Sequence, residues 1–71
     1  SALRLTLSHC KDLAELQSLL GDPKPNASSV ELWVKAADYM VEMKLPQRFA
    51  VDPHTLAQIQ SLPMVEKAIL T

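Results

Sequence analysis

The chain has two histidines and one cysteine, the residue types that most readily bind transition metals. His9 and Cys10 are neighbours, and the second histidine is His54. Adjacent residues of a helix point about 100° apart, whereas two metal ligands on one helix need a spacing that places them on one face. The sequence therefore predicts no metal site. His9 is interpreted as the edge of a helix's apolar face and Cys10 as a small buried side chain.

Catalysis is not expected either. A nucleophilic Cys10 or serine would need a base held in place by a third group. The chain has one glycine, Gly21, so it lacks the glycine-lined turns that expose a nucleophile or cradle a phosphate. Glu31, Asp38 and Glu42 fall on one narrow arc of a predicted helix, which is typical of a solvated face. We expect a protein that is not an enzyme, with no cofactor and no small-molecule substrate.

The composition is that of a small globular domain. Of 71 residues, 48 % are hydrophobic, and seven basic residues against eight acidic ones give a net charge of −1. The basic residues are scattered singly, so nucleic acid is not the expected partner, and there is no apolar run that would cross a membrane. The single Cys10 cannot form an internal disulfide and favours an intracellular compartment, either cytoplasm or nucleus. Because no methionine starts the chain, residues 1–71 are expected to be one helical domain excised from a larger protein.

The first element can be interpreted in two ways. Leu3, Leu5 and Leu7 alternate with polar residues, as in a strand with one buried face. That strand would need a partner, and residues 49–51 are the one short candidate. A helix over residues 2–20 accounts for more of the segment, because Leu5 then shares a side with Leu13, Leu16 and Leu20. The sequence predicts this helix, ended by Gly21 and Pro23.

The remaining segments complete an all-α prediction. Residues 22–29 (DPKPNASS) predict a loop, and residues 30–44 (VELWVKAADYMVEMK) predict a second helix that ends before Pro46. Asp52 and Pro53 are typical of a helix start, with the third helix running to about Leu62 and a short fourth one after Pro63. The predicted fold is a small bundle of three to four helices with short Pro-containing loops.

The predicted second helix carries more apolar surface than one core requires. Its apolar side chains span more than half of the circumference, so one stripe is left for a partner, although packing in the core would explain the same residues. Methionine and tyrosine are common at interfaces. The predicted function is a non-enzymatic interaction module, or scaffold, that binds an amphipathic helix or apolar peptide of another protein in a groove. The predicted partner-binding residues are Leu32, Ala36, Tyr39, Met40 and Met43.

Residues 56–70 (LAQIQSLPMVEKAIL) supply an alternative function. They resemble helix-hairpin-helix DNA-binding units, which place Leu-Pro before a hairpin and an apolar segment after it. The resemblance implies nucleic-acid binding through the third and fourth helices. It lacks the Gly-x-Gly hairpin of those units, since Met64 and Val65 follow Pro63. A structural segment of a longer helical repeat is a third possibility. A steep salt dependence of binding would favour nucleic acid over an apolar groove.

Overall fold

The computed structural model describes all 71 residues and is a four-stranded sheet with two short helices. The predicted all-α bundle is therefore wrong, because the chain is mainly β-sheet rather than helical. The strands lie in the order β3-β2-β1-β4, with β1 and β2 parallel and the other neighbours antiparallel. In chain order the elements are β1 (Ala2–Leu7), α1 (Leu13–Leu20), β2 (Pro23–Lys35), β3 (Met40–Phe49), α2 (Pro53–Gln60) and β4 (Val65–Leu70).

The first predicted helix is wrong over its N-terminal part. Leu3, Leu5 and Leu7 lie on one face of β1 and are each 0 % exposed. Residues 29–34 of β2 are the partner that the alternation required, rather than residues 49–51. The pairing crosses more than twenty residues of chain, so a helical wheel of the segment alone cannot detect it. The helix stop is confirmed, because α1 ends at Gly21, whose φ is 72° and whose N–H donates to the carbonyl of Gln17.

The predicted second helix is a β-hairpin. Residues 30–35 are the end of β2, residues 40–44 begin β3, and the N–H of Ala36 donates to the carbonyl of Tyr39 across the turn (2.9 Å). Apolar residues alternate along both strands, which suits a sheet with one covered face. The loop predicted over residues 22–29 also belongs mostly to β2, although its pairing with β3 is irregular between Pro23 and Ser28.

The third predicted helix is confirmed, and the fourth is wrong. Asp52 accepts a hydrogen bond from the Thr55 N–H (2.7 Å) and caps α2, whose first residue is Pro53. Residues 65–70 instead form β4, which fills the open edge of β1. Residues 56–70 thus contain one helix and one strand. They contain no pair of helices that could form the DNA-binding unit or continue a helical repeat.

Both helices contribute to one core on the same side of the sheet. We call this side the inner face, and the side without helices the outer face. Paired residues of neighbouring strands share a face, so Leu5 and Leu32 point inward while Arg4 and Glu31 point outward. With eight residues each, α1 and α2 are too short to cross a membrane. The buried apolar core is Leu3, Leu5, Leu7, Leu16, Leu20, Val30, Leu32, Val34, Phe49, Ile59 and Met64.

Candidate partner-binding groove

The inner face of β3 next to the hairpin turn is apolar and is not covered by a helix. Val41 pairs with Val34 and Met43 with Leu32, so both side chains point to the inner face. Val34 and Leu32 are buried, yet Val41 remains 40 % exposed and Met43 37 % exposed. The helix layer therefore ends before it reaches the outermost strand.

A groove of about 290 Å³ runs between α1 and β3. Its floor is the inner face of β2 and β3, and one wall is the side of α1. No charged side chain lines it. The lining residues are Leu13, Leu16, Gln17, Leu20, Leu32, Leu45, Pro46, Gln47 and Phe49.

The local sequence explains how each wall forms. Leu13, Leu16 and Leu20 recur at helical spacing and make one apolar stripe on α1. Leu16 and Leu20 are buried against the sheet, while Leu13 is half-buried at the groove. On β3, Leu45 follows Met43 by two residues and so lies on the same face.

The structure brings together only part of the predicted partner-binding set. Leu32 is buried in the floor of the groove, and Met43 lies beside it on β3. Met40 is on the outer face near Trp33, whereas Ala36 and Tyr39 flank the hairpin turn, where Tyr39 is 66 % exposed. No single surface holds all five residues.

Most residues of the groove were not predicted from the sequence. Leu13, Leu16, Leu20, Leu45 and Phe49 line it, and none was predicted to bind a partner. The signal that could have identified the β3 wall is the alternation of apolar residues at positions 41, 43, 45 and 49. That alternation indicates a strand with one covered face. On a helical wheel the same apolar residues are spread over more than half of the circumference.

The outer face carries a charged cluster. Glu31 Oε1 accepts hydrogen bonds from Arg4 Nε (3.0 Å) and Trp33 Nε1, and the Arg4 guanidinium lies 5.2 Å from the centre of the Trp33 ring. The Trp33 hydrogen bond, aided by the charges of Arg4 and Lys44, lowers the pKa of Glu31 below its usual range. The acidic Glu31 and the basic Arg4 are therefore paired with each other within this cluster.

The residues considered for metal binding and nucleophilic catalysis lie on different parts of the fold. His9 and Cys10 lie between β1 and α1 rather than in a helix; His9 Nδ1 accepts the Lys11 N–H (3.2 Å), and the Cys10 thiol is exposed. His54 is exposed on α2. The structure places no three His, Cys, Asp or Glu side chains where they could share a metal ion.

The carboxylates predicted to share one helix face are also redistributed. Glu31 lies on β2, Asp38 in the hairpin turn, and Glu42 on β3. Asp52 is the second carboxyl group with a lowered pKa, and the cause is its hydrogen bond with the Thr55 N–H at the start of α2. Both lowered pKa values thus come from contacts that stabilise the fold.

No protein-family model, curated protein or solved structure matches this chain. What the groove can do follows from its shape, polarity and exposure.

Proposed function

We propose that this domain is a non-enzymatic protein–protein interaction module that binds an amphipathic helix of a partner protein in the groove between α1 and β3. The observation that carries the proposal is the apolar inner face of β3 at Val41 and Met43, which no helix of the chain covers. The exposed free thiol of Cys10 supports a reducing, intracellular setting for this interaction.

The polarity of the groove supports an apolar ligand surface. Its lining has no charged residue, and the half-exposed Val41 and Met43 extend the apolar floor along β3. Removing apolar surface from water favours association by roughly 25 cal/mol per Å², before the entropic cost of association is subtracted. On the outer face, Arg4 pairs with Glu31 and Lys35 pairs with Glu66. The lining of the groove itself offers a polyanion no basic side chain.

The shape of the groove supports a helix rather than an extended peptide. Elements that pack on the inner face of this sheet are helices, and α1 forms the wall of the groove. Sheets in two-layer domains bury their apolar face against helices laid side by side. A partner helix beside α1 would complete this layer over β3. An extended peptide would instead add to the sheet through main-chain hydrogen bonds.

The proposal is tested with a synthetic helical peptide that carries leucine at positions i, i+3, i+4 and i+7. A peptide of the same composition without an apolar stripe serves as the ligand control. Titration is followed by NMR of the side-chain methyl groups. We expect the largest shift changes at Leu13, Met43 and Leu45.

Two matched substitutions locate the binding surface. Met43→Gln is expected to weaken binding about tenfold, because it places an amide on the groove floor. Ile69→Gln is the control: Ile69 is about as exposed, but lies on the outer face of β4 opposite Arg4. Equal effects of the two substitutions, or shift changes confined to the outer face, would contradict the proposal. A steep fall of affinity with salt would point instead to a polyanion.

A further inference from the structure

The strand β3 forms one edge of the sheet, and its free main-chain groups can be assigned. The Ala36 N–H donates to the Tyr39 carbonyl, so residues 36 and 39 form a hydrogen-bonded pair. Such pairs alternate along an antiparallel ladder, so Val41 and Met43 point their N–H and C=O groups at β2. Met40, Glu42 and Lys44 therefore point theirs away from the sheet.

We propose that two copies of this chain associate by antiparallel pairing of β3 with β3, in a register centred on Met43. The two-fold axis passes between the two Met43 residues, and the sheet continues from one copy into the other. In this register Glu42 of each copy pairs with Lys44 of the other, and their outward N–H and C=O groups form the hydrogen bonds.

Charge distinguishes this register from its neighbours. Centred on Met43, the pairing places Glu42 opposite Lys44 on both sides of the axis, on the outer face. Centred on Glu42 it would place two glutamates in contact, and centred on Lys44 two lysines. Opposite charges directly across a ladder stabilise it, and like charges destabilise it. β3 is thus complementary to itself in one register.

The inner face fits the same register. Val41 of one copy lies opposite Leu45 of the other, and the two Met43 side chains meet at the axis. The pairing therefore covers Val41 and Met43, which are 40 % and 37 % exposed in the single copy. Pro46 lies opposite Met40 and has no N–H, so the ladder ends there. This association shares Met43 with the proposed helix-binding surface, but it is made by the main chain at the sheet edge and its test uses the isolated chain, so it does not require helix binding.

Sedimentation equilibrium of the isolated chain over micromolar to millimolar concentrations tests the proposal. We expect a concentration-dependent dimer. Glu42→Lys or Lys44→Glu alone is expected to raise the dissociation constant at least about tenfold, because each creates two like-charge pairs. The double variant Glu42→Lys/Lys44→Glu restores opposite charges and is expected to recover the dimer. Lys67→Glu, which changes a charge on the other edge strand, β4, is the control and is expected to leave the dimer unchanged.

Amide hydrogen exchange supplies a second measurement that does not depend on charge. Glu42 and Lys44 amides should become protected only as concentration rises, while Val41 and Met43 amides are protected at every concentration. Glu42→Pro removes an outward N–H without removing a bond to β2, so it should give a folded monomer. A chain that stays monomeric at millimolar concentration would overturn the proposal. So would a dimer that is insensitive to Glu42→Lys and leaves the Glu42 amide unprotected.

Discussion

On the inner face of the sheet, β1 presents Leu3, Leu5 and Leu7, and β3 presents Val41, Met43 and Leu45. The residue types are alike, yet Leu5 is 0 % exposed and Met43 is 37 % exposed. The difference follows from position, because β1 is a central strand and β3 is an edge strand. Position in the sheet, rather than apolar character alone, therefore decides which side chains are covered, and even on β3 the far residue Phe49 is in the core while Met43 is not.

The largest expected effect is a difference in stability between matched truncations on the two strands. Leu5→Ala should cost about 2–5 kcal/mol, because it opens a cavity in a fully buried site. That is comparable to the whole stability of a domain of this size. Met43→Ala should cost less than about 1 kcal/mol, since its side chain is already partly in water. Urea unfolding followed by far-UV circular dichroism measures both. Similar costs would show that β3 is as well covered as β1.

A smaller effect is expected from the cap of α2, which packs mainly against β4 and α1. Asp52→Ala removes the acceptor of the Thr55 N–H, so the thermal unfolding midpoint should fall by a few degrees. Hydrogen exchange should then accelerate in β4 and leave the β2–β3 hairpin unchanged. Asp52→Asn, which keeps an acceptor, is the control. Acceleration along β3 would mean that α2 covers more of the sheet than its contacts indicate.

The smallest expected effect is a difference between β1 and β3 in how strongly each lowers the pKa of Glu31, which lies between them on β2. Arg4 on β1 donates a hydrogen bond to Glu31, whereas Lys44 on β3 acts through charge. Arg4→Met should therefore raise the pKa of Glu31 more than Lys44→Met does, as measured by NMR titration of its carboxyl carbon. Equal shifts would remove the distinction between the two strands.

The lowered pKa of Glu31 makes the stability of the fold depend on pH. Glu31 binds its proton less readily in the folded chain, so its contribution to stability is complete above its ordinary value of 4.5. That contribution is lost as the pH falls through the lowered value. Glu31→Gln should flatten this part of the stability profile between about pH 5 and about pH 2. A profile unchanged by the substitution would assign the acid sensitivity to another carboxylate.

Local signals in the sequence predicted the parts of the fold that depend on neighbouring residues. Asp52 and Pro53 start α2, and Gly21 ends α1, because capping involves groups only a few residues apart. The strands depend on distant partners. Leu3, Leu5 and Leu7 showed the pattern of β1, but their partner in β2 had itself been assigned to a helix. The hairpin turn at residues 36–39 has no glycine, asparagine or proline that would have marked it.

The candidate site, like the fold, was predictable only where it depends on neighbouring residues. The apolar excess of residues 30–44 was a correct observation, and Met43 does lie exposed beside the groove. Its cause was misassigned, because an alternating strand projected on a helical wheel gives apolar residues on both sides. Leu13 and Leu45 meet only once α1 packs on the sheet. No property of either residue alone identifies that contact.

The pairing of β1 with β4 also governs how the chain folds over time. Ala2 and Thr71 exchange two main-chain hydrogen bonds, of 3.0 and 2.9 Å, at the largest sequence separation in the domain. Closing so long a loop costs entropy before any contact repays it, so this step is intrinsically slow. During synthesis, β1 emerges from the ribosome long before β4. One edge of the strand that carries the core leucines must therefore stay unpaired until translation of residues 65–70 is complete.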